Sequence, residues 1–237
     1  MFGLLYTHRL VFQGCRKVGG GVSSFAFAPE QPFKAKAGQH GILQLGGTAM
    51  KPFSLASAPE EGSVLIGTSL QSGSSFKQRL AALKPGDTVT LRGPVNKFTL
   101  DGAASQVVML AQGVGITPLR SMLAHAALTG RAIESSLIHV AHVGHAYRDE
   151  TRQWAMAAAY PQHADDFRAA AAAAAHANPG ATFFIAGATP FVSSTASLLR
   201  EAGVAGANIR EDKYLGYKPR PRTATMPTTP GVAPAND

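Results

Sequence analysis

Residues 106–118 read QVVMLAQGVGITP, an apolar run that passes directly into a glycine-rich turn and then a proline. Polar residues stand only at the ends of QVVMLAQ, which suits a strand buried on both faces, as in a parallel sheet. Gly113 and Gly115 carry no side chain to keep a ligand off the backbone. Pro118 suits the first turn of a helix, where its missing N–H costs nothing. The free N–H groups and dipole of such a helix start favour an anion such as a phosphate. In a G-x-G-x-x-G pattern the third glycine would fall at Pro118, so this is not a dinucleotide fingerprint. A strand–turn–helix unit is the reading, with an ordinary tight turn and a nucleotide loop both open.

Working outward from this unit, SSLIHVAHV (135–143) and TFFIAGA (182–188) read as further buried strands. Helices are expected from Pro118 to about Thr129, over DETRQWAMAAAY (149–160), over DFRAAAAAAAHAN (166–178) and over FVSSTASLLREAG (191–203), the last closed by Gly203. Strands alternating with helices make a parallel sheet. AGATPF (186–191) repeats the first unit: Gly187 opens the backbone and Pro190 starts a helix. Two such loops at parallel strand ends form the crevice where open α/β sheets bind ligands.

Before Asp101 the pattern differs. LVFQGCRKV (10–18), SSFAFAPE (23–30), GQHGILQL (38–45), FSLASAPE (53–60), SVLIGTSL (63–70) and DTVTLRGP (87–94) are short strands, with turns at Gly19-Gly20-Gly21 and Pro85-Gly86-Asp87. One helix interrupts them, SSFKQRLAAL (74–83), with Phe76, Leu80 and Leu83 on one face. Short, evenly spaced strands suggest a small antiparallel barrel. The expected architecture has two domains: an antiparallel β-barrel over 1–101 and an α/β parallel-sheet domain over 102–217. Residues 218–237 hold five prolines without apolar period and read as a disordered tail; its Lys218, Arg220 and Arg222 read as solvated.

Of the 237 residues 45% are hydrophobic, enough for packed cores, and 22 Lys and Arg against 14 Asp and Glu leave +8. A single cysteine, Cys15, excludes an internal disulfide, a four-thiolate zinc site and a four-cysteine iron–sulfur cluster. Any redox chemistry must therefore use another carrier. Cys15 is expected to be a small buried hydrophobe. The start, MFGLLYTHRL, does not read as a signal peptide, and no run approaches the ~18 apolar residues of a membrane span. A cytoplasmic protein is expected. No aromatic-plus-basic motif supports nucleic-acid binding. His139 and His142 would face opposite sides of a strand, which argues against a metal shared with His145.

The order of motifs is more specific than any one of them. A barrel is followed by KPFSLASAP from Lys51, then SGSSF, GVGITPLRSML, FFIAGATPFV and DKYLGY (212–217). Over about residues 4–217 this resembles the ferredoxin–NADP reductase superfamily. The resemblance implies a flavin, FAD with FMN as the alternative, in the barrel, and NADPH or NADH as substrate on the α/β domain. From the R-x-[YF]-S motif it implies that Phe53 packs on the isoalloxazine and that Ser54 neighbours its N5. Lys51, followed by Pro52, replaces the phosphate-binding arginine and lacks its bidentate fork. Ile66, Gly67 and Thr68 would line the ribityl chain, and Ser74 and Ser75 the phosphate turn.

Gly113, Val114, Gly115, Ile116, Thr117 and Pro118 would take the pyrophosphate and the nicotinamide side, with Gln112 in place of a family glycine. Ala186, Gly187 and Ala188 match C-G-P-x-x-[MF], with Ala186 for the cysteine and Ala188 for the proline. Tyr214 matches the C-terminal aromatic, with Asp212 as its acidic neighbour. Arg148 could take a 2′-phosphate, and Tyr147 could stack on adenine. The implied activity is hydride transfer from nicotinamide to flavin N5, with Ser54, Thr117 and Tyr214 as the catalytic set. Electrons would pass on to a separate acceptor, an acidic redox protein suited to a +8 chain or a small molecule. The changes at Lys51, Gln112 and Ala186 keep a second reading open, a non-catalytic flavin- or nucleotide-binding regulatory or electron-transfer subunit.

Overall fold

The structure, a computed structural model, describes residues 6–214. Its first part is an antiparallel sheet of β1 (Thr7–Lys17), β2 (Val22–Pro29), β3 (His40–Gln44), β4 (Met50–Ser54), β5 (Val64–Ser69) and β6 (Thr88–Val95), in the order β4-β3-β6-β1-β2-β5. Alternation sends Leu10, Phe12, Phe25, Phe27, Leu43 and Leu91 inward, and the sheet curls around them. A bridge between Leu55 and Ile66 brings its two edges together, making a half-barrel. The helix α1 (Ser75–Ala81) plugs one end with Phe76 and Leu80.

The second part is a parallel sheet of β7 (Gln106–Gln112), β8 (Glu134–Val140), β9 (Ala157–Ala159), β10 (Thr182–Ala188) and β11 (Ile209–Tyr214), in the order β11-β10-β7-β8-β9. Helices α2 (Ile116–Thr129) and α3 (Arg148–Trp154) cover one face, and α4 (Ala164–Ala177) and α5 (Thr189–Glu201) the other. The chain reverses its direction of travel across the sheet between β7 and β10, the switch point at which such sheets open a crevice. Pairing aligns Ala186 with both Ala111 and Asp212, and Ala188 with Tyr214. The GVG turn, the AGA segment and the end of β11 therefore meet at the carboxyl ends of the strands.

One apolar cluster crosses between the two parts: Val22, Ala56, Phe98 and Leu100 pack with Met109, Met122, Tyr147 and Phe184. At its rim Arg120 of α2 is almost wholly buried. Its guanidinium makes a two-point contact with Glu61 at 2.7 and 2.9 Å, bonds Glu150 from Nε at 2.7 Å and donates to the Ala56 carbonyl at 2.8 Å. It also lies 5.3 Å from the Tyr147 ring and 5.1 Å from that of Trp154. Arg16 of β1 reaches the same Glu150 from the other side, so charges alternate across the junction.

Several expectations are corrected. The helix read over 149–160 stops at Trp154, and Ala157–Ala159 instead pairs with Ser136–Ile138 as β9. Alanine's helix preference is small, and an open sheet edge outweighs it. The strand read over 53–60 ends at Ser54, and the chain turns through a short 3-10 segment at Pro59–Glu61. Cys15 is exposed rather than buried, because the β1–β2 hairpin beyond Phe12 runs past the barrel core. Leu215–Tyr217 and the tail 218–237 lie outside the described residues.

Candidate active site

A cleft of about 330 Å³ opens where the half-barrel meets the edge of the parallel sheet, within the size range of small-molecule sites. Four of its side chains join by hydrogen bonds. Thr117 Oγ1 donates to the Val114 carbonyl at 3.0 Å and meets the Tyr214 hydroxyl at 3.2 Å. Ser54 Oγ meets the same phenol at 3.0 Å and the Asp212 carboxyl at 3.4 Å. Residues 212 and 214 share one side of β11, which is why both reach Ser54.

The protons of this cluster can be counted. Thr117 uses its only hydrogen on Val114 and Ser54 donates to the Asp212 carboxylate, which leaves the Tyr214 hydroxyl to donate within the cluster, to Ser54 or to Thr117. Burial pushes the Asp212 pKa up to about 6, against the opposing hydrogen bond from Ser54. Its folded pKa lies above its unfolded one, so its contribution to stability is complete below about pH 4 and is lost as pH rises through 6. Asp212→Asn is therefore expected to exceed the wild type in stability by about 2 kcal/mol at pH 7.5, with the difference closing towards pH 4. Unfolding temperature measured against pH checks this; a constant gap would exclude it.

At the other end of the cleft the Lys51 ammonium lies 3.4 Å from Ser74 Oγ and 5.8 Å from the centre of the Phe76 ring. Phe53 packs on Phe76 with ring centres 5.7 Å apart. Lys77 also lines the cleft; burial and the charge of Lys51 lower its pKa. Neither lysine makes an ion pair among the described residues. Two facing cations beside an aromatic wall fit an anionic aromatic ligand such as a flavin phosphate ester.

Of the residues singled out in the sequence, Lys51, Pro52, Phe53, Ser54, Gly67, Thr68, Val114, Thr117 and Tyr214 line this cleft together. Ile66 points into the barrel core, and Ile116 and Ala186 into the shared core, so these offer only backbone. Gly67 is a point of close packing: a Cβ there would come within 2.7 Å of Thr117 and 2.8 Å of the Tyr147 hydroxyl. Gly113 has φ +54 and faces open space, whereas a Cβ on Gly115 would strike the Ala186 carbonyl oxygen at 2.2 Å. Pro118 is buried in the first turn of α2, Gly187 packs against Phe191, and Ala188 is buried at the end of β10. Ser75 begins α1, exposed and away from the cleft lining.

Arg148 is exposed at the start of α3, with its guanidinium over Tyr160 at 5.1 Å. Tyr147 is buried under Arg120, so it offers no face to adenine. Lys77 and His40 also line the cleft and were not singled out in the sequence. Among the described residues no group of His, Cys, Asp and Glu could hold a metal ion, and no helix is long and apolar enough to cross a membrane.

No family model matches the chain. It is 34% identical over 152 residues to a flavohemoprotein of Pseudomonas putida, covering 60% of this chain and 37% of that one. It is likewise 34% identical over 134 residues to ferredoxin–NADP reductase B of Sorangium cellulosum, covering 54% and 55%. The matches thus span between about a third and just over half of these relatives' lengths. In structure it overlays a ferredoxin–NADP+ reductase of Neisseria gonorrhoeae, solved with bound FAD and NADP, with a TM-score of 0.71 at 16% identity, over 87% of this chain and 98% of that one. The chain's relatives in sequence and its neighbours in structure are ferredoxin–NADP reductase-like FAD- and NAD-binding oxidoreductases, and its two-part fold is theirs.

Proposed function

We propose that the chain is an NAD(P)H-dependent flavoprotein oxidoreductase, with FAD (FMN as the alternative) on the half-barrel, residues 1–101, and the nicotinamide nucleotide on the α/β part, residues 102–217. The observation that carries this reading is the Asp212–Ser54–Tyr214–Thr117 cluster. It joins both parts of the chain inside one cleft that also holds Phe53 and two lysines, Lys51 and Lys77, without carboxylate partners among the described residues. Bound flavin and nicotinamide would supply hydride transfer to the flavin N5 and onward release of electrons, leaving binding and orientation to the protein.

Phe53 offers the apolar wall, and Lys51 and Lys77 the charges for a phosphate. Ser54 presents a hydroxyl whose hydrogen bonding depends on the proton held by Asp212. Tyr214, bonded to Ser54 on the barrel side and to Thr117 on the sheet side, ties the two together. The electrons go to a separate acceptor, an acidic redox protein or a small molecule.

Purified protein titrated with FAD and FMN is expected to turn yellow and to bleach anaerobically with NADPH or NADH. The double variant Lys51→Met, Lys77→Met is expected to weaken flavin binding about tenfold, the loss of roughly one charged contact. Its affinity for riboflavin, which carries no phosphate, should stay unchanged. Protein that takes up flavin but is bleached by neither nucleotide would instead be the non-catalytic subunit, and protein that takes up no flavin would overturn both readings.

A further inference from the structure

His139, the residue before the end of β8, is fully buried, with Nε2 2.9 Å from the carbonyl oxygen of Gly113. A carbonyl only accepts, so Nε2 carries the ring proton and Nδ1 keeps a lone pair. That Nδ1 has no hydrogen-bond partner among the described residues. The nearest titratable rings are His145, edge-on at 5.2 Å, and Tyr160 at 6.3 Å. Burial, only partly offset by the bond to Gly113, pushes the His139 pKa down to about 3, so the imidazole is neutral across the working range. Packing alone does not account for it: a leucine or phenylalanine would fill the space without burying an unmatched acceptor.

The same Gly113 oxygen accepts the backbone N–H of Ile116. Gly113 itself is left-handed, at φ +54, with open space on the side where a Cβ would sit. In a trans peptide the C=O and the following N–H point in opposite directions. Turning the Gly113 oxygen towards β8 therefore aims the Val114 N–H away from β8, and Val114 lines the cleft.

We infer that His139 is a positioning residue: through its Nε2–H it locks the Gly113–Val114 peptide with the Val114 N–H presented as a donor to the phosphate of the nicotinamide nucleotide. This rests on the reading of the α/β part as the nucleotide site.

The test has two arms. In the flavin-loaded wild type, long-range nitrogen–proton NMR should show His139 as the Nε2–H tautomer. Finding the Nδ1–H tautomer would overturn the inference without any variant. In the second arm, dissociation constants for NADP+ and NAD+, and KM and kcat for the reduced forms, are compared across His139→Leu and His139→Gln. The leucine variant should keep its flavin and its unfolding temperature while binding of the preferred nucleotide weakens about five- to tenfold, the worth of one hydrogen bond, with kcat changed less than twofold. Glutamine, whose side-chain amide can donate from a similar position, should restore binding to within twofold. Equal losses in both variants, or none in leucine, would overturn the positioning role. Wild-type protein that binds neither nucleotide would instead overturn the underlying site reading, and the tautomer measurement would still decide whether His139 holds the loop.

Discussion

Arg120→Met is expected to lower the free energy of unfolding by about 3 kcal/mol, near the lower end for breaking a buried ion pair, because Glu61 and Glu150 keep some contact with water. The guanidinium is 3% exposed and the two carboxylates 20% and 25%. Methionine fills much of the same volume between Tyr147 and Trp154 but strips the guanidinium from both carboxylates and the Ala56 carbonyl, leaving Glu150 with Arg16 and Glu61 with the Ala58 N–H. Burial works against the charge on Glu150, yet hydrogen bonds from Arg16 and the charge of Arg120 outweigh it and hold its carboxyl below the ordinary range. Its share of stability is therefore present at neutral pH and lost as pH falls through that depressed value. Lysine at position 120 should not rescue the loss, since an ammonium cannot reproduce the two-point contact with Glu61 while reaching Glu150. Urea unfolding measures the effect; a loss below about 0.5 kcal/mol would place Arg120 with ordinary surface changes and remove it as the link between the two parts.

Gly115→Ala should cost about 3 kcal/mol or more and abolish nucleotide binding, because the overlap involves only main-chain atoms. The new methyl would sit 2.2 Å from the Ala186 oxygen, 2.6 Å from its carbonyl carbon and 3.0 Å from the Gly187 Cα. No rotamer change relieves this; β7 and β10 would have to separate at the point where the crevice forms. The backbone at Gly115 is ordinary right-handed helix, with φ −59, so the cost is purely steric. Gly113→Ala makes the contrast: it meets nothing but must hold φ +54, which costs about 1 kcal/mol. Unfolding curves of the two variants should differ accordingly, and equal costs would show that the apposition of the two loops is looser than described.

The two glycines also show what sequence could and could not disclose. QVVMLAQ and TFFIAGA were legible because a strand buried on both faces has no polar alternation, and KPFS, GVGITP and DKYLGY gained meaning from their order. A glycine that holds a left-handed turn beside open space and one that lets two backbones touch are spelled identically, however, and only packing distinguishes Gly113 from Gly115. The strand β11 was not read, because IREDKY is dominated by charges that look solvated; it forms at a sheet edge, where one side faces water. Arg120 sits among Leu119, Ser121 and Met122 with no local hint of its burial, since Glu61 and Glu150 lie 59 and 30 residues away. Lys77 likewise gains its role only from Lys51, brought close when α1 caps the barrel.

The polar cluster unites Ser54 with residues 158 and 160 positions further along the chain. Contacts of such separation are costly to close and tend to form late. On a translating ribosome the half-barrel and the inner strands β7, β8 and β10 can all exist before Asp212 and Tyr214 have been synthesised. The polar cluster is thus completed only by the edge strand β11, and a chain truncated before that strand would lack both the carboxyl and the phenol that Ser54 meets.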